Sequence, residues 1–229
     1  MPVTPLLLHA ALLARLTASA YPFAVGETLQ YEARLGMLPI GSATVAVSGM
    51  AQERGAQAFV FAASGEGRPL GIRVGAELTS WVGARGFNSL RFHRRVFQGA
   101  SVDESQFRII PDSMRYREDG NPQDWAAPSN PLDELAFLYY LRTMPLKVGA
   151  TYLIPRYFKT GYNPIEVRVV GRDTRQLPGG RTAPVLDLAI SSRTLRMGVM
   201  LTDDARRLPV EMNFPLPFGR VTLELTSAS

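Results

Sequence analysis

Along FAVGETLQYEARLGMLPIGSATVAVSG, residues 23–49, apolar and polar side chains take turns. Leu29, Tyr31, Ala33 and Leu35 are interleaved with Gln30, Glu32 and Arg34, the period of two that marks a strand with one buried and one wet face. Ala43, Val45 and Val47 repeat the alternation against Ser42, Thr44 and Ser48. Gly36, Pro39 and Gly41 mark the connection, so the stretch predicts an antiparallel hairpin. A hairpin alone cannot bury its apolar face, and the pattern therefore demands further strands.

The rest of the chain supplies them. Residues 56–63 form a continuous apolar run with β-preferring Phe59, Val60 and Phe61, which predicts a strand buried on both faces. Ile72, Val74, Ala76 and Leu78 alternate with Arg73, Gly75 and Glu77, and residues 90–97 and 107–109 continue the succession. Met114 and Tyr116 answer across Pro111 and Asp112. Trp125 is the one large apolar residue of the connector NPQDWAAPSNP and is expected to lie as a lid on the core. Strands resume at 150–155, at Ile165, Val167 and Val169, and at Leu186, Leu188 and Ile190 after a turn at Pro178-Gly179-Gly180. The closing segment reads as two or three strands around a polar turn at 203–206, with Val221, Leu223 and Leu225 on one face.

One helix interrupts this series, at about 132–142. Asn130 is placed as N-cap, Pro131 at the first helical position, and Asp133 and Glu134 where the helix dipole favours negative charge. Arg142 falls in the last turn and Pro145 stops the helix. Leu135, Leu138, Tyr139 and Arg142 share a face, predicted to plug an open side of the sheet. About a dozen short strands with one inserted helix define an all-β class: an antiparallel barrel, half-barrel or sandwich.

Composition narrows the picture. The 229 residues, 46% hydrophobic, suffice for one sizeable core, which makes residues 21–229 a single β domain. The net charge is +5, and the basic residues are almost all Arg, with Lys only at 147 and 159. They are spread along the strands instead of gathered in a tract, which argues against a nucleic-acid partner. The absence of cysteine excludes disulfides, thiolate chemistry and a lipidated N-terminal Cys. Residues 1–20, MPVTPLLLHAALLARLTASA, carry an apolar run followed by Ala18-Ser19-Ala20, a signal-like leader with a small-residue cleavage site before Tyr21. No Lys or Arg precedes the run and Arg15 follows it, so an uncleaved apolar anchor is the competing expectation. The run is too short to span a bilayer unaided.

Candidate chemistry is sparse. His9 lies in the leader, leaving His93 as the one histidine of residues 21–229, which excludes multi-histidine metal sites. His93 stands among Arg91, Arg94 and Arg95, the composition of a solvated strand face. Asp203-Asp204 suits a charge-compensated hairpin tip, since adjacent strand residues diverge. No nucleophile elbow, phosphate loop or dinucleotide fingerprint occurs, and no cofactor or metal is expected. Two loop-like segments carry surplus rings: PRYFKTGYNP, with Arg156, Tyr157, Phe158, Lys159 and Tyr162, and NFPLPFG, with Phe214, Leu216 and Phe218 between prolines. Aromatic side chains with arginine are enriched at binding surfaces, so these eight residues are the candidate contact surface for a partner or ligand. The prolines of NFPLPFG argue against an interior strand.

Three stretches in fixed order, FAVGETLQYEARLGMLPIGSATVAV, PLDELAFLYYLRTMPLKVG and DDARRLPVEMNFPLPFGRVTLEL, together resemble the bacterial exported proteins grouped as the domain of unknown function DUF3108. The resemblance implies an extracytoplasmic all-β domain, loosely similar to the lipoprotein-carrier half-barrels that hold apolar ligands. It brings no catalytic residues with it.

The expectation that follows is a non-enzymatic periplasmic binding or accessory protein. Its first form is a peripheral subunit on a membrane protein complex at the outer face of the cytoplasmic membrane, of which photosynthetic reaction-centre assemblies are an example, touching the membrane through residues 1–20. Its second form is a carrier of an apolar ligand or lipid. The rival class is an envelope-polymer enzyme using Asp103, Glu104, Asp203 or Asp204. An empty apolar groove favours binding, and two carboxylates at glycosidase-like separation favour the enzyme.

Overall fold

A computed structural model describes residues 21–216 and 219–229. The expectations for the leader at 1–20 and for Phe218 lie outside the described residues. Fourteen antiparallel strands form one sheet: β1 (Thr28–Leu35), β2 (Leu38–Glu53), β3 (Ala56–Gly67), β4 (Val74–Gly83), β5 (Ser89–Gln98), β6 (Ser101–Ile110), β7 (Arg115–Glu118) and β8 (Asp124–Ala126) precede the helix α1 (Glu134–Thr143). After it come β9 (Thr151–Ile154), β10 (Ile165–Gln176), β11 (Thr182–Ser191), β12 (Arg196–Thr202), β13 (Pro209–Leu216) and β14 (Gly219–Ala228). The sheet order is β8-β7-β6-β5-β4-β3-β2-β1-β14-β13-β12-β11-β10-β9. The hairpin of β1 and β2 therefore sits at its middle, with β14 closing onto β1 through pairs such as Ala33↔Leu223.

Each strand reverses the last, so two ends are defined. The connections β1–β2, β3–β4, β5–β6, β9–β10, β11–β12 and β13–β14 fall at one end, here called the rim. The connections β2–β3, β4–β5, β10–β11 and β12–β13, together with the stretch holding α1, fall at the other, the base. The sheet curls round α1, and one apolar cluster joins Phe61 and Val82 of one wing, Ile165 and Val167 of the other, and Leu135, Tyr139 and Leu141 of the helix. Phe61 stacks on Tyr139 with ring centroids 3.9 Å apart, and Phe23 meets Tyr139 edge-on at 5.0 Å. The edge strands β8 and β9 are spanned by a strap: Leu132 N–H donates to Arg156 O at 2.6 Å, Phe158 N–H to Leu132 O at 3.0 Å, and Ser89 N–H to Pro131 O at 2.7 Å.

Three local expectations are corrected. The helix begins at Glu134 with Asp133, not Asn130, as its cap, because the Asp133 carboxylate accepts from Leu135 N and Ala136 N while Leu132 is held in the strap. Strand β3 is buried on both faces only in part: Phe59, Phe61 and Ala63 pack on the core, while on the other face Ala58 is fully buried but Val60 and Ala62 are half-buried and outside the core cluster. The prolines of NFPLPFG do not prevent β13 from being an interior strand. Pro215 pairs only with Arg220 of β14, beyond the last pair with β12 at Gly198↔Asn213; Pro209, upstream of that segment, opens the strand and pairs only with Leu201 of β12, and Pro217 lies outside the described residues. Pro209 and Pro215 both escape the two-sided pairing that proline cannot satisfy.

Trp125 stacks on Tyr116 with centroids 5.4 Å apart, half-buried at the β8 edge and away from the main core. The β1–β2 turn is shorter than Gly36, Pro39 and Gly41 suggested: it needs only Gly36, at φ +59°, and Met37. Gly41 serves close approach, since a Cβ there would lie 2.0 Å from the Glu66 carbonyl oxygen.

The candidate ligand cavity

Both ends of α1 are held at the base, Asp133 by Ser80 and Ser89 and Arg142 by Glu27, so the helix lies across the base of the curled sheet as a floor with open space above it. The space is about 740 Å³. Its floor is the N-terminal half of the helix, with Glu134, Leu135, Phe137 and Leu138. One wall is made by small inward residues of β2, β3 and β4, namely Ala43, Ala63, Gly65 and Ala76, with Val45 and Leu78 below them. The opposite wall is larger: Met197, Met212, Phe214, Val221 and Leu223 from β12, β13 and β14. The small residues are what make room; the alternation in GSATVAV placed Ala43 and Val45 on one face, while the inward Ala63 and Gly65 of β3 carried no such reading.

Polar groups gather on one side. Tyr157 O–H donates to Glu134 Oε1 at 2.6 Å, and burial, followed by the Glu134 charge, holds the phenol well above its ordinary pKa, so it stays a neutral donor. Arg94 points inward from β5 and pairs with Asp103 at 3.2 Å. The Lys159 ammonium lies 4.3 Å from the centroid of Phe107 and 5.3 Å from that of Phe158. Among the described residues it joins no ion pair, and its nearest charge-complementing neighbours are these ring faces, with Glu134 lining the same cavity. Lys159 also borders a smaller recess of about 370 Å³ with Phe107, Tyr116, Trp125 and Tyr162.

The eight candidate contact residues are thus divided. Tyr157, Lys159, Tyr162 and Phe214 line the cavity. Arg156 is occupied in structure, donating to Asn130 O and Phe87 O at 2.7 Å each and lying over Tyr140. Phe158 is wholly buried among Phe92, Phe107 and Tyr116. Leu216 ends β13, paired with Gly219. Sequence reasoning missed the small-residue wall and Arg94, whose inward direction could have been read from its parity with Phe92.

The carboxylates named for the enzyme class do not share a cleft. Asp103 and Glu104 begin β6 near the rim, paired with Arg94 and with His93 and Arg95, while Asp203 and Asp204 lie in the β12–β13 turn at the base. Asp203 pairs with Arg172 and Arg207, and Asp204 Oδ1 accepts from Thr202 Oγ1 and the Arg206 and Arg207 amides. His93 Nε2 is 2.8 Å from Glu104 on the outer face. No group of three or more His, Asp or Glu side chains able to hold a metal occurs among the described residues.

A curled antiparallel sheet round a short helix, enclosing an apolar cavity, defines a barrel-like all-β domain. The chain belongs to the family described as Protein of unknown function (DUF3108), which matches residues 30–226. It is similar in fold to the crystal structure of a beta-barrel-like protein of the domain of unknown function DUF1849 from Brucella abortus. The TM-score is 0.57 at 11% identity, covering 89% of this chain and 96% of that one. No curated protein matches the sequence.

Proposed function

We propose that the protein is a non-enzymatic carrier that holds an apolar ligand, of the class of acyl-chain lipids, in the cavity between α1 and the curled sheet. The observation that carries this reading is the cavity itself. At about 740 Å³ it falls within the roughly 300–1,000 Å³ typical of small-molecule sites, with apolar walls and a few convergent polar groups. Those groups supply an orientation for the ligand: Arg94, Lys159 and the Tyr157 hydroxyl stand where a polar head would lie, and the alanine wall accepts the chain. The alternative of a peripheral subunit on a membrane complex rests on residues 1–20. The apolar run and small-residue site there support action in the periplasm, which N-terminal sequencing of the native protein tests.

The carrier reading is tested by titrating the full chain, without membranes, with a fluorescent apolar dye and competing it with a long-chain fatty acid. One saturable site is expected. Ala76→Phe and Ala63→Phe, which fill the alanine wall, are expected to weaken dye uptake about tenfold or more while the chain stays folded by circular dichroism. Uptake unchanged in both folded variants, or no saturable uptake by the parent chain, overturns the reading.

A further inference from the structure

The three most exposed large apolar side chains of the described residues are Met37 (87%), Leu70 (85%) and Leu38 (69%). All three stand on rim connections, Met37 and Leu38 on β1–β2 and Leu70 on β3–β4, with exposed Ile72 and Leu195 on the same end. The register joins these tips: Leu35 pairs with both Leu38 and Val221, Gly41 with Gly67, and Gly67 with Val74. Leu70 holds φ +51°, a left-handed conformation unfavourable for a bulky side chain, at a position where it touches nothing that would compensate. A soluble domain with no use for this end would carry polar residues on such tips.

Charge gives the second half of the pattern. Arg68, Arg193, Arg196 and Arg220 are exposed on the same connections or at their edges, and none takes part in an ion pair among the described residues. The rim acids Glu66 and Asp103 are already paired, with Arg73 and Arg94; Glu118 and Asp119 lie off at the β7–β8 end of the sheet. The rim is thus a ring of protruding apolar tips with uncompensated arginines beside them. The cavity opens within this ring, since Ile40, Pro69, Val74, Thr194 and Leu195 belong both to its lining and to the rim connections or the strand ends beside them.

We infer that the rim docks on an anionic lipid bilayer, with Met37, Leu38 and Leu70 entering the headgroup layer and the four free arginines contacting lipid phosphates, so that the cavity mouth faces the acyl chains. The inference rests on the proposed carrier function and adds where the ligand is collected or delivered. Protruding apolar side chains combined with basic groups are the composition that binds membrane interfaces, and each basic residue near an anionic surface strengthens binding by roughly fivefold before screening by salt. Charge complementarity selects an anionic surface over a neutral one, and the continuity of rim and cavity selects a bilayer as the source of the ligand.

The full chain contains no cysteine, so single cysteines can carry a polarity-sensitive fluorophore at chosen points. Labels are placed by Leu70→Cys and Leu38→Cys at the rim and by Ala205→Cys in the β12–β13 turn at the base. The chain is then mixed with vesicles of equal parts phosphatidylcholine and phosphatidylglycerol, or of phosphatidylcholine alone. Sedimentation with the anionic vesicles only is expected, with a blue shift at the two rim labels and none at Ala205→Cys. Combined replacement of Arg68, Arg193, Arg196 and Arg220 by Gln is expected to lower partitioning about tenfold or more at low salt. Equal binding to both vesicles, equal shifts at rim and base, or unchanged partitioning of the arginine variant overturns the inference. No sedimentation with either vesicle overturns it too and leaves a protein as the occupant of the rim. The membrane-free dye titration separates the two claims: dye uptake without anionic-vesicle preference keeps the carrier and removes the rim, and the converse result keeps the rim and removes the carrier.

Discussion

The two ends of the curled sheet are built on opposite principles. At the base the helix is tied down by committed polar groups, although the exposed Arg85 and Arg181 on that end join no ion pair among the described residues. Arg142 of α1 lies 2.5 Å from Glu27 Oε1 and 2.9 Å from Oε2, and also donates to the Pro22 and Arg206 carbonyls while resting near the faces of Tyr139 and Phe23. The helix is seated there by Asp133, whose carboxylate takes four donors: the hydroxyls of Ser80 and Ser89 and the amides of Leu135 and Ala136. At the rim four arginines join no ion pair among the described residues, leucine and methionine stand in water, and the interior is open. The same sheet therefore spends its specific interactions on fixing a plug at one end, and keeps the other end open. A ligand carrier needs both, because a cavity persists only where something rigid stops the walls from collapsing.

The largest effect that can break this contrast is expected at the Arg142–Glu27 pair. Both side chains are almost fully buried, so removing Glu27 leaves the Arg142 charge dry with only carbonyl partners, and removing Arg142 leaves Glu27 with only the half-exposed Arg206 at 3.7 Å. Arg142→Met or Glu27→Gln is expected to destabilise by about 3–5 kcal/mol in urea unfolding. Replacing Arg68, which is exposed and unpaired at the rim, is expected to change stability by less than about 0.5 kcal/mol. Comparable losses at the two positions would show that base and rim are not energetically distinct.

How much of this was legible in the sequence depends on range. The β1–β2 hairpin was readable because alternation is local, and the shared face of Leu223 and Leu225 for the same reason. The helix was found but its start was placed too early. Asn130-Pro131 imitates a cap followed by a first-turn proline, and what decides against it is Ser80 and Ser89, 53 and 44 residues away, which seat Asp133 instead. Glu27 gave no signal, since its partner is 115 residues distant and only the folded base shows the pair. The cavity was half-legible: inward Ala43 and Val45 of β2 are in the pattern, but β3 was read as buried on both faces, and nothing local says that α1 lies across the base below them. Aromatic richness at 156–162 was read as one surface, and the fold divided it between strap, core and cavity.

The next comparison lies within the helix. Leu141 is 1% exposed and packs at the base, whereas Leu138 is only partly buried and forms part of the cavity floor. Sequence periodicity put Leu138 on the core-facing side, which predicts a loss of roughly 2–5 kcal/mol for Leu138→Ala. The structure moves that cost to Leu141→Ala, and Leu138→Ala is expected to lose less than about 1.5 kcal/mol because the site is already open on one side. Leu138→Ala should instead alter dye affinity in the membrane-free titration, where Leu141→Ala, measured under conditions that keep it folded, should not. Equal stability losses would place α1 deeper in the core than the cavity allows.

The last comparison, of parent with variant at the helix cap, concerns pH. Burial pushes the Asp133 carboxyl up to about 6, against an ordinary value of 3.8, while the hydrogen bonds from the Ala136 amide and the Ser80 and Ser89 hydroxyls oppose the rise. In the window between these values the folded chain binds more protons at this site than the unfolded chain. Stability from Asp133 therefore falls as pH rises from about 4 to about 6 and is level above that, the reverse of a salt-bridged surface carboxylate. Each unit of raised pKa corresponds to about 1.4 kcal/mol, so the full contribution is bounded near 3 kcal/mol and is reduced by whatever the unfolded state retains. In Asp133→Asn the amide has no proton to lose, and its oxygen still accepts from the helix amides. The difference between parent and variant in urea unfolding, followed from pH 4 to pH 7, should carry the slope. A parent chain whose stability rises through this window relative to Asp133→Asn would mean that the four donors outweigh burial and that the plug is held by a fully ionised cap.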